Sequence, residues 1–159
     1  MSDNMAAIRR IELIPSTQAS EVAVLAAQCH QFPMSLTSIE GCFGRFYSVS
    51  GLYEGHSLVG FYILHTLFED ATIIDICISP DKQGLGCGKM LLNAACTEAK
   101  GLGAERLLLE VRQSNDSAIG LYTQRGFIKT ATREGYYPCD NGRENAVIME
   151  LQLDNKKAP

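Results

Sequence analysis

The sequence of 159 residues has no run of five basic residues, no C-x-x-C pair and no apolar stretch of membrane-spanning length. With 14 Lys and Arg against 18 Asp and Glu, its formal net charge is −4. Nothing in it would neutralise a run of phosphates, so a dedicated nucleic-acid binder is not expected. The longest apolar stretch, Ser57 to Phe68, lies between His56 and Glu69 and falls short of the roughly 18 residues of a transmembrane helix. Met1 to Arg10 carries Asp3 early and no hydrophobic region before a small-residue cleavage site. No secretory signal is therefore expected, and a cytoplasmic location is.

The cysteines, at positions 29, 42, 77, 87, 96 and 139, lack metal-knuckle spacing, and Cys29, Cys77 and Cys96 sit inside apolar segments. Free thiols are expected rather than bridges or a zinc site. His30, His56 and His65 are widely separated, so no metal and no catalytic histidine is expected.

Hydrophobic residues at 46% and charged residues at 20% match globular averages and leave no case for disorder. The length predicts one domain over 1–153, with a flexible tail at 154–159. A strand is expected over Ala7 to Ile14, then a helix over Thr17 to Gln31 with Val22, Leu25, Ala26 and Cys29 at helical spacing, and a short helix from Ser35 toward Phe43. Aromatic and β-branched residues then predict a three-stranded meander over Phe46 to Glu54, Ser57 to Phe68 and Ala71 to Ser79. A helix over Gly88 to Gly101, with Met90, Leu91, Ala94, Ala95 and Cys96 inward, leads to a strand over Arg106 to Arg112. Asn115 and Asp116 start a helix over Ser117 to Arg125 that Gly126 stops, and strands over Phe127 to Arg133 and Ala146 to Leu153 follow. There is no internal repeat or linker.

The most informative segment places Gly84, Gly86 and Gly88 between the strand ending Ile76-Cys77-Ile78 and the helix that follows. Glycine removes the Cβ that would hold a phosphate away, and the free amides and dipole of a helix start favour an anion. A pyrophosphate ligand is the natural reading, with a bare strand-to-helix turn as the alternative. A P-loop is excluded because Gly88-Lys89 is followed by Met90, and a Rossmann fingerprint because Lys89 stands where its last glycine belongs.

Gln83-x-x-Gly86-x-Gly88 after Ile76-Cys77-Ile78 resembles the acyl-CoA-binding motif of the GCN5-related N-acetyltransferases. Leu109-Glu110-Val111-Arg112 to Asn115, then Ala118 to Tyr122 and Gly126-Phe127, match that family in order and spacing. Gly135-Tyr136-Tyr137-Pro138 and Gly142 to Met149 are similar to its bacterial ribosomal-protein-alanine members, and the likeness spans roughly residues 8 to 151.

The resemblance implies an α+β fold of three αβα layers. Its sheet would be mixed, mostly antiparallel and flanked by helices, of the acyl-CoA N-acyltransferase type, with splayed fourth and fifth strands. It implies acetyl-CoA as cosubstrate and no metal. By the same resemblance Ile76, Cys77 and Ile78 line the pantetheine arm, which Asn115 also contacts. Gln83, Gly84, Leu85, Gly86, Cys87, Gly88 and Lys89 form the pyrophosphate turn.

Acetyl transfer needs a neutral amine and a proton for the departing thiolate. Glu110 interrupts the apolar run Leu107-Leu108-Leu109, where partial desolvation suits a carboxylate to accept a proton. The resemblance makes it the base; an exposed carboxylate or one paired with Arg112 is the alternative. It makes Tyr122 the proton donor, against a core tyrosine. A phenol with a pKa of about 10 stays protonated at neutral pH. No histidine lies near Cys77 or Cys87 in sequence, so direct attack in a ternary complex is expected over an acyl-cysteine.

An α-amine is roughly 15% neutral at pH 7 and a lysine only about 0.04%, which suits a modest base to an N-terminal acceptor. The resemblance implies the N-terminal alanine of small-subunit ribosomal protein eighteen, a basic partner that the acidic net charge would attract. Tyr136-Tyr137-Pro138 and Gly142-Arg143-Glu144 would shape the peptide channel, while Cys139 to Gly142 also reads as a plain turn. Another peptide, a small-molecule amine or a non-catalytic acyl-CoA sensor are the alternatives. The sequence is silent on oligomeric state.

Overall fold

A computed structural model describes residues 8–154. Ala7 and all of the expected tail except Asp154 lie outside the described residues.

The strands are β1 (Arg9–Leu13), β2 (Tyr47–Glu54), β3 (Ser57–Leu67), β4 (Asp70–Ile78), β5 (Arg106–Arg112), β6 (Ile128–Cys139) and β7 (Gly142–Gln152). The helices are α1 (Ala19–Cys29), α2 (Leu36–Glu40), α3 (Cys87–Gly101) and α4 (Asp116–Arg125). Hydrogen bonding orders the strands β1-β2-β3-β4-β5-β7-β6, the mixed and mostly antiparallel sheet implied by the resemblance. The parallel ladder of β4 and β5 runs from Asp70 opposite Arg106 to Ile73 opposite Leu109. Both strands continue past the last residue pair of that ladder, to Ile78 and Arg112.

The chain forms two compact units. Among the described residues, one holds 8–63 and Asp75–Ala94, and the other holds Leu64–Ile74 and 95–154. In the first, Val22, Leu25 and Ala26 of α1 bury one helical face together with Ile14, Ile39, Val49, Phe61 and Ile63. Each such large side chain contributes about 1.5–3 kcal/mol on full burial. The Ser35 hydroxyl accepts the Ser38 N–H at 3.1 Å and starts α2. At Gly60 a Cβ would stand 2.9 Å from the Cys77 carbonyl oxygen, so only glycine lets β3 pass this close to β4. One residue away, the Ser79 N–H donates to Val59 O at 2.8 Å.

In the second unit β5 alternates strictly. Leu107, Leu109 and Val111 are buried, while Arg106, Leu108, Glu110 and Arg112 are half-buried on the opposite side. Antiparallel β7 supplies buried Ala146, Val147, Met149 and Leu151. Asn115 caps α4, its Oδ1 accepting the Ala118 N–H at 3.2 Å, and Gly126 ends the helix with φ +110°.

Two expectations change. Helix α3 buries Cys87, Leu91, Leu92, Ala95, Cys96 and Ala99, whereas Met90 and Ala94 are only half-buried. The last hairpin is longer than read, reaching Cys139 and restarting at Gly142. Its β6 is exposed almost throughout and carries register shifts at Lys129/Ala131 and Arg133/Tyr137. No apolar alternation marks such a strand.

Candidate functional site

In the first unit, Ile76 and Ile78 are half-buried and Cys77 is buried. After the single helical turn Pro80–Lys82, Gln83 is extended and its side chain donates to Ile78 O at 3.4 Å, tying the turn to the end of β4. Gly84 and Gly86 have φ of +77° and +82°, with nothing within 4 Å of where a Cβ would stand. Leu85 and Lys89 are exposed. The Met90 N–H donates to Gly86 O at 3.1 Å, so the amides of Cys87, Gly88 and Lys89 precede the first N–H that donates within the helix. Open space beside two left-handed glycines and amides at a helix start fit a diphosphate.

A brace behind this turn has no signature in the sequence. The Glu54 carboxylate pairs with Arg9 at 2.9 Å and with Lys82 at 2.8 Å. Arg9 also donates to Leu85 O within the turn, at 2.9 Å. Hydrogen bonds from Lys82 and then Arg9 hold the Glu54 carboxyl below the ordinary carboxylate range, and Glu54 raises Lys82 in return. Arg9, Glu54 and Lys82 are far apart in the chain, so only the fold brings them together.

Burial pushes the Cys77 thiol far up, with the contact to Cys29 adding to the effect. A thiol kept neutral is a poor nucleophile, so Cys77 is ill suited to carry an acyl group. His30 Nε2 lies 2.9 Å from Asp75 Oδ1.

In the second unit, Glu110 projects from the half-buried side of β5, 28% of its side chain exposed, with Arg133 Nε 3.4 Å from Oε1. Its partner is thus Arg133 rather than Arg112, because Arg112 is engaged elsewhere. Arg112 pairs with Glu144 at 2.9 Å and donates to Pro138 O at 2.8 Å. The missed partner sits on an exposed strand beyond a helix, where no local pattern marks it. An exposed pair like Arg133 and Glu110 contributes about 1 kcal/mol or less, so the carboxylate can exchange partners.

Tyr122 is buried on α4, its ring 5.8 Å from that of Phe127. Asn115 commits its oxygen to the helix, leaving its amide nitrogen as the donor it can offer a ligand. The Arg112 guanidinium lies 4.6 Å over Tyr137 and that of Arg133 lies 5.1 Å over Tyr136; the two tyrosine rings meet edge-on at 5.0 Å. Among the described residues no helix is long and apolar enough to cross a membrane.

Residues 7–127 match the acetyltransferase (GNAT) family. The chain belongs to that family. A Haemophilus influenzae protein named ribosomal protein bS18-alanine N-acetyltransferase is 40% identical over 127 residues, 79% of this chain and 86% of its own length. An Escherichia coli protein of the same name is 33% identical over 143 residues, 90% of this chain and 97% of its own. The crystal structure of the Escherichia coli enzyme matches with a TM-score of 0.90 at 32% identity, covering 96% of this chain and 97% of that one. GNAT enzymes use acetyl-CoA, and the turn from Gln83 to Lys89 in this GNAT acetyltransferase is chemically suited to its diphosphate. The mostly antiparallel sheet with its short parallel ladder is the GNAT fold.

Proposed function

We propose that this GNAT acetyltransferase moves the acetyl group of acetyl-CoA to the N-terminal alanine amine of ribosomal protein bS18, by direct attack and in the cytoplasm. Acetyl-CoA supplies an acetyl group activated as a thioester. The amides from Gly84 to Lys89 hold its diphosphate, and Ile76, Cys77, Ile78 and Asn115 contact the pantetheine arm. Glu110 takes the proton of the acceptor ammonium, directly or through water, and the neutral nitrogen bonds to the thioester carbon. As the C–S bond breaks, the Tyr122 hydroxyl gives a proton to the departing thiolate, and the proton shed by the new amide nitrogen restores the phenol through water. Tyr136 and Tyr137 contact the acceptor peptide.

The observation that carries this reading is the match, at 33–40% identity over most of the chain, to proteins all named for this one acceptor. The weak pairing of Glu110 supports its assignment, since an arriving ammonium offers the carboxylate the same charge as Arg133. An N-terminal acceptor needs only a modest base, as its amine is already neutral in a sizeable fraction of molecules at pH 7.

The test compares acetylation of an alanine-starting bS18 peptide, the same peptide N-terminally blocked, and polyamines. Turnover of the free peptide alone supports the assignment. Turnover confined to polyamines transfers the activity to small amines, and tight acetyl-CoA binding without turnover on any amine makes the chain a sensor.

A further inference from the structure

Glu110 on β5 and Tyr122 on α4 are joined through a linker of Gln113, Ser114 and Asn115. The placement of one side chain against the other depends on how that linker is held. Glu144 on β7 holds it at its β5 end and at its middle residue. Its Oε1 accepts from Arg112 Nη1 at 2.9 Å, and its Oε2 accepts the Ser114 N–H at 3.3 Å. The Gln113 N–H donates to Asn145 O at 3.0 Å. Arg112 in turn is fixed by Pro138 O and by the Tyr137 ring.

Arg143 and Asn145 flank Glu144 and, as alternate strand residues do, point the other way. Both hold the bulge of β6. Arg143 donates to Gly135 O at 2.6 Å and to Tyr136 O at 2.9 Å, and Asn145 Oδ1 accepts the Gly135 N–H at 3.0 Å. Three consecutive residues therefore fasten both the linker and the tyrosine bulge to one strand.

We propose that Glu144 is a positioning residue that, through Arg112 and the Ser114 N–H, fixes the linker between β5 and α4 and so sets Glu110 against Tyr122. The inference rests on the roles assigned to those two residues above. Charge-assisted pairs are directional as well as strong, which is what a joint between two elements requires. A base and an acid displaced by about 1 Å lose up to roughly a hundredfold in rate.

The test measures kcat with acetyl-CoA and an alanine-starting peptide, per CoA-binding site counted by calorimetry, in wild type, Glu144→Gln, Glu144→Asp and Arg112→Gln. Glu144→Gln keeps the size of the side chain and an oxygen for Ser114 but loses the charge that Arg112 meets. It is expected to lower kcat about tenfold or more while the acetyl-CoA Kd stays within about twofold. Glu144→Asp restores part of the rate. Adding Arg112→Gln to Glu144→Gln costs little more, because the two act as one unit. An unchanged kcat per site overturns the proposal, as do additive losses or a joint fall of kcat and acetyl-CoA affinity. NMR of Glu110 and Tyr122 reads the joint without turnover, and unmoved signals in Glu144→Gln overturn it. A wild type that binds acetyl-CoA yet leaves the peptide untouched sinks the acceptor assignment alone.

Discussion

Arg133 holds its guanidinium 3.4 Å from the Glu110 carboxylate, with 53% of its own side chain exposed. The pair is close enough to orient the carboxylate and too exposed to lock it. Removing the base should therefore cost far more than removing its counter-ion. Glu110→Gln is expected to lower kcat/KM on the alanine peptide by about 10²-fold or more, and Arg133→Gln to change it by less than about tenfold. Initial rates on the peptide decide this, and equal effects would take the proton-accepting role from Glu110.

Tyr122 is buried against Phe127 on a helix fixed at both ends by Asn115 and Gly126. A phenylalanine keeps the ring packing and removes only the hydroxyl. Tyr122→Phe is expected to lower kcat by about 10²-fold with acetyl-CoA Kd unchanged. A fall in the midpoint with kcat intact would return Tyr122 to a packing role.

What could be read from the sequence was local. Asn115 and Gly126 mark the ends of α4 because capping chemistry acts within a few residues. The strand over Arg106 to Arg112 was legible from its apolar run, and the turn at Gly84 and Gly86 because only glycine adopts such φ values at no cost. The partners of Glu110, Glu54 and Arg112 were not legible, since each comes from a segment that the sheet brings alongside. The extent of the last hairpin was hidden for a related reason. Polar contacts such as those of Arg143 and Asn145 hold it, rather than an alternating apolar face.

Gly86 adopts φ +82° with no atom near the position of a Cβ, so alanine there meets no clash but does meet backbone strain. That strain is about 1–2 kcal/mol, and relieving it would tilt the amides that follow. Gly86→Ala is expected to weaken acetyl-CoA about tenfold in calorimetry, with kcat at saturation largely retained. Unaltered affinity would remove this turn from the diphosphate.

The brace of Glu54 gives the first unit a pH signature of its own. Because Lys82 and Arg9 depress the Glu54 carboxyl, its contribution to stability is complete above the unfolded carboxylate pKa of about 4.3 and is lost as pH falls through the lower folded value. Lys82 is raised by the same contact, so its contribution is complete below the unfolded lysine pKa of about 10.4 and is lost as pH rises through the higher folded value. The midpoint difference between wild type and Glu54→Gln should therefore be widest on a plateau between these two values. It should narrow at both extremes, the acid side closing only below about pH 4. Thermal unfolding across pH measures the difference directly. Since Arg9 also holds Leu85 O within the turn, acetyl-CoA affinity in Glu54→Gln should fall over that plateau. A midpoint difference that is flat across the whole pH range would show that the Glu54 contacts do not support the turn.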